Sequence, residues 1–188
     1  MKYAFIDIES TGTDRDLDQI IEFACIITGD DLVPIDSLHM KLKTTLKPDQ
    51  LSPSAIEKTG MTYDVIMSHP YTQAEGYQML TEFLSTYVDR YNKKDKLQFV
   101  AYNAKFDSDF VRKLFSDMND NFYGSYFWHP PLCIMEIFAF MVREDRASFP
   151  DFKLETLVKA AGIEWDETKA HEALYDILQS IELYKKLL

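Results

Sequence analysis

The sequence contains little of what would assign it to several large classes of protein. It has two cysteines in 188 residues, Cys25 and Cys133, and both lie in apolar stretches. Two cysteines form no disulfide framework, so we expect both to be reduced and buried. No apolar run approaches the ~20 residues of a membrane span. The N-terminus does not resemble a secretory signal, because a single lysine is followed by an acid at position 7, and we expect a cytoplasmic protein.

Basic residues are also scarce, since 20 lysines and arginines face 31 acids and the formal net charge is −11. Proteins that grip a long nucleic-acid duplex usually present a basic face. The apolar and aromatic fractions, 46% and 14%, are those of a folded protein. We see no repeat, low-complexity tract or linker, so the length predicts a single domain over residues 1–188.

Two acids stand in the first predicted strand. Residues 3–8 are apolar apart from Asp7, which predicts a buried central strand. Asp7 and Glu9 then project from the same side, where they would repel each other unless a cation lay between them. Oxygen ligands favour magnesium or manganese. The alternative is a strand end at which both acids meet solvent. The following backbone, Ser10 to Gly12, could face a sugar or phosphate or form a plain turn.

Further acids occur in two later segments. Residues 97–102 predict a short strand, and Asp107 follows it in the first turn of a helix, where the helix dipole alone would favour an acid. Asp176 lies beside the apolar stripe of the last predicted helix, where an unpaired acid would be costly. His171 precedes it by five residues, and a lone histidine is more often structural than catalytic.

Together these segments resemble the DEDDh (DnaQ-like) family of 3′–5′ exonucleases, which includes the proofreading subunit of bacterial DNA polymerase III, oligoribonuclease and ribonuclease T. The resemblance spans residues 3–188. The first motif is Phe5-Ile6-Asp7-Ile8-Glu9-Ser10-Thr11-Gly12, the second Asn103-Ala104-Lys105-Phe106-Asp107-Ser108-Asp109-Phe110, and the third His171-Glu172-Ala173-Leu174-Tyr175-Asp176. Residues 51–62 resemble the family's turn and helix before a substrate-facing edge. One position departs, because Tyr102 stands where the family often has histidine, which puts nearby substrate contacts in doubt.

The resemblance implies an α/β, ribonuclease-H-like fold, a five-stranded mixed sheet with helices on both faces. It implies two divalent cations, Mg or Mn, about 4 Å apart, that stabilise the attacking and leaving oxygens. Asp7 would bridge them, Glu9 and Asp176 would complete the first ion's shell, and Asp107 would act on the second. His171 would be the general base. The implied substrate-binding residues are Ser10, Thr11, Gly12, Thr59, Met61, Asn103 and Phe106.

The resemblance implies an enzyme that releases 5′-nucleoside monophosphates from a 3′ end of DNA or RNA, and the acidic net charge favours a single-stranded or short substrate. The alternatives are a catalytically silent nucleic-acid-binding domain and a small-molecule phosphoesterase. No polymerase-binding extension is visible after the third motif, which favours a free-standing nuclease. The sequence does not decide whether the protein forms a homodimer. Lysines and arginines that could contact phosphate, or be ordinary surface charges, are Lys105, Lys113, Arg143, Arg146 and Lys153.

Patterns along the rest of the chain predict the other elements. Strands are predicted over residues 19–29 and 37–46, with a hairpin turn at 29–31. Helices are predicted over 53–58, 72–92, 106–118, 132–143, 153–161 and 170–187. Residues 119–130 predict an aromatic loop, which we expect to pack on the core or form a dimer contact rather than to stack on bases.

Overall fold

A computed structural model describes residues 1–170 and 172–188 of the chain. Five strands form one mixed sheet in the order β3-β2-β1-β4-β5. The strands are β1 (Lys2–Ser10), β2 (Ile20–Thr28), β3 (Pro34–Lys41), β4 (Leu97–Ala101) and β5 (Leu132–Cys133). β1 pairs antiparallel with β2 and parallel with β4, so it lies at the centre of the sheet.

The helices of the described residues cover both faces of this sheet. They are α1 (Pro53–Thr59), α2 (Tyr63–Met67), α3 (Gln73–Tyr87), α4 (Ala104–Asp117), α5 (Tyr123–Tyr126), α6 (Ile134–Met141), α7 (Leu154–Ala160) and α8 (Ala173–Leu187). Within the part of the chain described, none of them is long and apolar enough to cross a membrane.

The alternation of side chains along β1 supplies both layers of the core. Ile6 and Ile8 pack with residues of α3 and α4 on one face. Phe5 packs on the other face with residues of α6, α7 and α8. Asp7 lies on the same face as Phe5, because side chains in a strand alternate. The predicted α/β fold, with a five-stranded mixed sheet and helices on both faces, is confirmed.

Most predicted elements are present, and the errors lie at their ends. β3 begins at Pro34 and ends at Lys41, five residues before the predicted end. α3 ends at Tyr87 rather than at residue 92, and Tyr91, which lies inside the predicted range, is 88% exposed. A loop that follows Val88 provides other hydrogen-bond partners, such as the Asp95 carboxylate that accepts from the Asp89 N–H. The short α2, α5 and β5 were not predicted, and α5 lies in the segment 119–130 that was expected to be a loop.

The aromatic segment 119–130 packs on the core, as expected. Tyr123, Tyr126 and Phe127 are buried, and the rings of Tyr123 and Tyr126 make edge contacts with Phe115 of α4. Base stacking is therefore not available to these three rings. Cys25 and Cys133 are buried free thiols, which confirms the expectation of reduced core cysteines.

Candidate active site

A cavity of about 730 Å³ opens beside the C-terminal half of β1, and the acids of the three sequence motifs line it, together with Glu155 of α7. Asp7 and Glu9 come from β1, Asp107 from α4 and Asp176 from α8. Because β1 and β4 are parallel neighbours, the strand that carries the first motif and the strand that leads into the second end at the same edge. The fold thus gathers acids up to 169 residues apart around one space.

The two acids of β1 differ in their surroundings. Glu9 is 5% exposed and lies opposite Glu22 of β2 in the strand register, whereas Asp7 lies opposite Ala24 and is partly buried. The register shifts between Glu9 and Ser10, which ends the regular pairing where the acids meet the cavity. Such irregularities often re-aim side chains beside functional sites.

Asp107 is held by the strand that carries the other two acids. It is 4% exposed in the first turn of α4, and its Oδ1 accepts a hydrogen bond from the backbone N–H of Ile8 at 3.2 Å. This contact bridges 99 residues of sequence. It places the second motif directly against the first.

Asp176 reaches the cavity from the other layer of helices. It lies in the first turn of α8, which packs against β1 and β2. Its side chain is partly buried, and its charge raises the pKa of both Asp7 and Glu9. His171, the predicted general base, lies outside the described residues.

Burial and mutual repulsion make the ionised acids unfavourable without a counter-charge. Desolvation, with smaller contributions from Asp107, Glu9 and Asp176, raises the pKa of Asp7 well above its usual value. Desolvation raises the pKa of Glu9 to about 7 and that of Asp107 to about 7. The Ile8 hydrogen bond acts in the opposite direction on Asp107, because it stabilises the carboxylate.

The chemistry of these donors fits a hard divalent cation. All four are carboxylates, the ligands that magnesium and manganese prefer. Over residues 1–170 and 172–188, no three acidic, histidine or cysteine side chains stand close enough together to enclose an ion. Like charges repel, so bringing the carboxylates together requires the positive charge that they would bind.

Lys58 provides a positive charge at this cavity that the sequence analysis missed. Its Nζ lies 3.9 Å from Oε2 of Glu9, and its charge lowers the pKa of Asp7, Glu9 and Asp107. Among the described residues, Lys58 and Lys153 are the basic side chains that line the cavity. Lys153 was among the predicted cations. The resemblance of residues 51–62 indicated a substrate-facing region but did not single out Lys58, because its pairing with Glu9 depends on how α1 packs beside β1.

Five of the seven predicted substrate-binding residues line one of two neighbouring cavities, and two line neither. Asn103 and Phe106 line the main cavity, while Ser10, Gly12, Thr59 and again Phe106 line a smaller one of about 200 Å³ beside it. Thr11 lines neither, because its Oγ1 donates to Asp18 and accepts from the N–H of Gln19. Met61 packs against the cluster of Ile21, Leu51 and Ile66. The structure therefore does not place Thr11 and Met61 at the cavities.

Gly12 ends the first motif at a crowded position. A Cβ built there would lie 2.3 Å from Oδ2 of Asp18. The same carboxylate accepts hydrogen bonds from Thr11 Oγ1 and from the N–H of Asp14, so it cannot move away freely. The close approach explains a glycine here, and it forms the turn that carries the chain past the acids.

Tyr102, which departs from the family pattern, lines the cavity and is hydrogen-bonded to the segment that forms the opposite wall. Its hydroxyl donates a hydrogen bond to the carbonyl of Phe152 at 2.5 Å. Phe152, Lys153 and Leu154 follow one another along that wall. The tyrosine therefore has a definite structural role, in holding the segment before α7 against the site.

The fold and the acidic cavity define the ribonuclease-H-like class of nucleases. A family model described as exonuclease (RNase_T) matches residues 4–184, and the chain belongs to this exonuclease family.

Individual relatives agree with this assignment. The 3′-5′ exonuclease DinG of Staphylococcus aureus is 27% identical over 183 residues, which cover 96% of this chain and 17% of DinG. Among solved structures, the zinc-bound complex of Escherichia coli exonuclease I with single-stranded DNA superposes with a TM-score of 0.77 at 24% identity. Exonuclease I of Methylocaldum szegediense gives 0.76 at 24% identity. Both exonuclease I matches cover 99% of this chain and 40% of theirs, so the chain spans less than half of these relatives.

Proposed function

We propose that the chain is a 3′–5′ exonuclease domain that removes 5′-nucleoside monophosphates from the 3′ end of single-stranded or short DNA or RNA, with two magnesium or manganese ions as cofactors. The observation that carries the proposal is the gathering of Asp7, Glu9, Asp107 and Asp176 around one cavity in a chain of the exonuclease family. The names of the relatives, which include an exonuclease complexed with single-stranded DNA, support the substrate class.

Each residue has a distinct part in the proposed reaction. Asp7, Glu9, Asp107 and Asp176 hold the two cations, which when bound activate water and offset the charge that develops on the phosphate. His171 accepts the proton of the attacking water, since an imidazole titrates close to neutral pH. Phe106 and Asn103 lie beside the acids, where they can contact the last nucleotide.

The acidic surface supports a short substrate. With a net charge of −11, the chain repels a long polyanion, and affinity for phosphates depends strongly on neutralising them. A site that holds the last few nucleotides limits this repulsion. The cavity of about 730 Å³ is of a size that holds a ligand of that kind.

The decisive experiment is a substrate panel with a variant of one central acid. The wild type is incubated with 5′-labelled single-stranded DNA, single-stranded RNA, duplex DNA and dinucleotides, and with p-nitrophenyl phosphate, in Mg²⁺, Mn²⁺ or EDTA. We expect ladders that shorten from the 3′ end with either cation and none in EDTA. Asp7→Asn should abolish cleavage, whereas Asp30→Asn, which alters an exposed acid paired with the N-terminal amine, should not.

The alternatives give different outcomes in the same panel. A silent binding domain would retain labelled strands without shortening them in any cation. A small-molecule phosphoesterase would hydrolyse p-nitrophenyl phosphate and leave the oligonucleotides intact. Equal cleavage by wild type and by a folded Asp7→Asn protein would overturn the assignment of the site.

A further inference from the structure

Lys58 lies where the two cavities of the site meet. It lines the main cavity with the acids, and it lines the smaller cavity with Ser10, Thr59 and Phe106. It belongs to the last turn of α1, and Gly60, which follows the helix, caps it in a left-handed conformation (φ +67°). The helix thus delivers one lysine to the boundary between the acids and a space lined by hydroxyl groups and an aromatic ring.

The Lys58 side chain is paired with Glu9 but remains free to move. Its Nζ lies 3.9 Å from Oε2 of Glu9, and its side chain is 61% exposed while that of Glu9 is 6% exposed. A lysine carries its charge on a flexible four-carbon chain, so the ammonium can change partners without movement of the backbone. Glu9 cannot follow it, because it is buried in the central strand.

We infer that Lys58 exchanges partners during the reaction cycle: it pairs with Glu9 while the site holds no divalent cation, and it contacts the phosphate that joins the last two nucleotides once cations and substrate are bound. This inference rests on the proposed function and adds a substrate-contacting residue to it.

Electrostatics give the exchange its direction. Without ions, the ammonium is a cation in contact with the acid cluster, and it offsets part of their repulsion. The ammonium would be repelled from Glu9 if a divalent cation bound beside that carboxylate, because the cation would then offset the charge of the acids. A phosphate of the substrate then offers the displaced lysine a new negative partner at the junction of the two cavities, in a charge-assisted hydrogen bond.

The exchange predicts opposite effects of one substitution on two measurements. In Lys58→Gln, the competitor for the acids is gone, so calorimetric titration of the substrate-free protein with Mn²⁺ should show binding that is several-fold tighter than in the wild type. The phosphate contact is also gone, so KM for a 5′-labelled oligothymidylate should rise about tenfold, the equivalent of a single charge-assisted contact. Loss of a merely structural residue would weaken both.

Two further variants complete the experiment. Lys58→Arg keeps the charge and should restore Mn²⁺ affinity and most of the substrate affinity towards wild-type values. Lys185→Gln is the control. It removes an exposed lysine that lies nine residues after Asp176 and is paired with Glu182, and it should change neither measurement. Unchanged or weaker Mn²⁺ binding by Lys58→Gln, or an unchanged KM, would overturn the inference even if the wild type is an active exonuclease.

A failure of the proposed function would look different. If the wild type cleaves no oligonucleotide, the Mn²⁺ titration still reports on the pairing with Glu9. Anisotropy of a fluorescein-labelled oligothymidylate in Mn²⁺ then measures the phosphate contact without turnover. Weaker binding by Lys58→Gln would support the inference, and equal binding by both proteins would overturn it.

Discussion

The carboxylate of Asp107 accepts a hydrogen bond from the backbone N–H of Ile8, the residue between Asp7 and Glu9. One side chain of α4 thereby completes a backbone hydrogen bond of the central strand and brings a third acid against the two that the strand carries. The bond stabilises the contact between motifs, whereas the charge of Asp107 opposes it, because its ionised form is buried beside other acids.

Asp107→Asn should separate these two effects. The amide oxygen can still accept from the Ile8 N–H, while the buried charge is lost. We expect activity to fall at least about a hundredfold, as for loss of one charged group at a reacting centre. In EDTA at pH 8 the melting temperature should stay the same or rise. Oligonucleotide cleavage and thermal unfolding measure the two effects.

The matched control is Asp109→Asn, two residues further along α4. Asp109 pairs with Lys105 at 2.5 Å and Arg15 at 3.3 Å outside the acid cluster, and such surface pairs contribute little to stability. Its activity should remain near that of the wild type. A strongly destabilised Asp107→Asn protein would show that the carboxylate is structural rather than functional.

The metal-free protein should lose stability as the pH rises through neutrality. Glu9 has its pKa raised from 4.5 to about 7, and Asp107 from 3.8 to about 7. Between the ordinary pKa of each acid and its raised pKa in the folded protein, the folded state binds more protons than the unfolded state. The free energy of unfolding therefore falls as the pH rises through this interval. Surface acids with a lowered pKa, such as Asp95, titrate below this window.

Thermal unfolding in EDTA from pH 5 to pH 8 measures this dependence. The melting temperature should decline over that interval, and it should decline less steeply in Asp107→Asn. When EDTA is replaced by saturating Mn²⁺, the decline should be smaller, because the cation stabilises the ionised acids. A melting temperature that rises from pH 5 to pH 8 in EDTA would contradict the raised pKa values.

His171 is expected to act as the general base. Replacing it by alanine should slow cleavage by about a hundredfold or more and flatten the acidic limb of the pH–rate profile, since that limb would report the imidazole. His129→Ala, which removes an exposed histidine, is the control. An unaltered profile in a slowed His171→Ala enzyme would remove His171 from that role.

Tyr102→Phe should loosen the far wall of the cavity. The substitution keeps the ring and deletes the hydroxyl that donates to the Phe152 carbonyl, at a cost of about 1 kcal/mol in stability. KM should rise more than kcat falls, because the wall positions substrate and the acids are untouched.

Tyr87→Phe provides the comparison for Tyr102. It deletes a hydroxyl that donates to Asp36 at 2.6 Å, on β3 at the edge of the sheet, and it should lower stability by less than Tyr102→Phe, because this hydrogen bond is exposed, with no change in KM. Identical kinetics for the two variants would mean that the Tyr102 hydrogen bond does not shape the site.

Local patterns were sufficient for the elements whose signals are local. The period-two arrangement of β1 predicted that Asp7 and Glu9 share a face, and a helix was correctly predicted after the strand at residues 97–102, where α4 lies. Boundaries were less well predicted. The helix predicted over residues 72–92 ends at Tyr87, and Tyr91 is 88% exposed. The spacing of apolar residues alone does not predict the end of a helix, because that end depends on where the neighbouring elements stop packing against it.

The family resemblance assigned roles to the motif residues but did not reveal their contacts. It implied that Asn103, Phe106, Thr11 and Met61 belong to a substrate site, and it gave no sign that Thr11 is hydrogen-bonded to Asp18 or that Met61 packs in a small core cluster. Tyr102 was recognised as a departure. Its partner, the Phe152 carbonyl 50 residues away, depends on the path of the chain before α7.

The order of residues along the chain determined the exonuclease family and the identity of the acids, because both depend on short motifs, and the mixed sheet was implied by the resemblance to that family. The tertiary structure decided which groups meet: Asp107 with the Ile8 N–H, Tyr102 with Phe152, and Lys58 with Glu9. These contacts join residues 99, 50 and 49 positions apart, and their energies depend on burial and distance. Both quantities are set only when strands and helices from distant parts of the chain pack together.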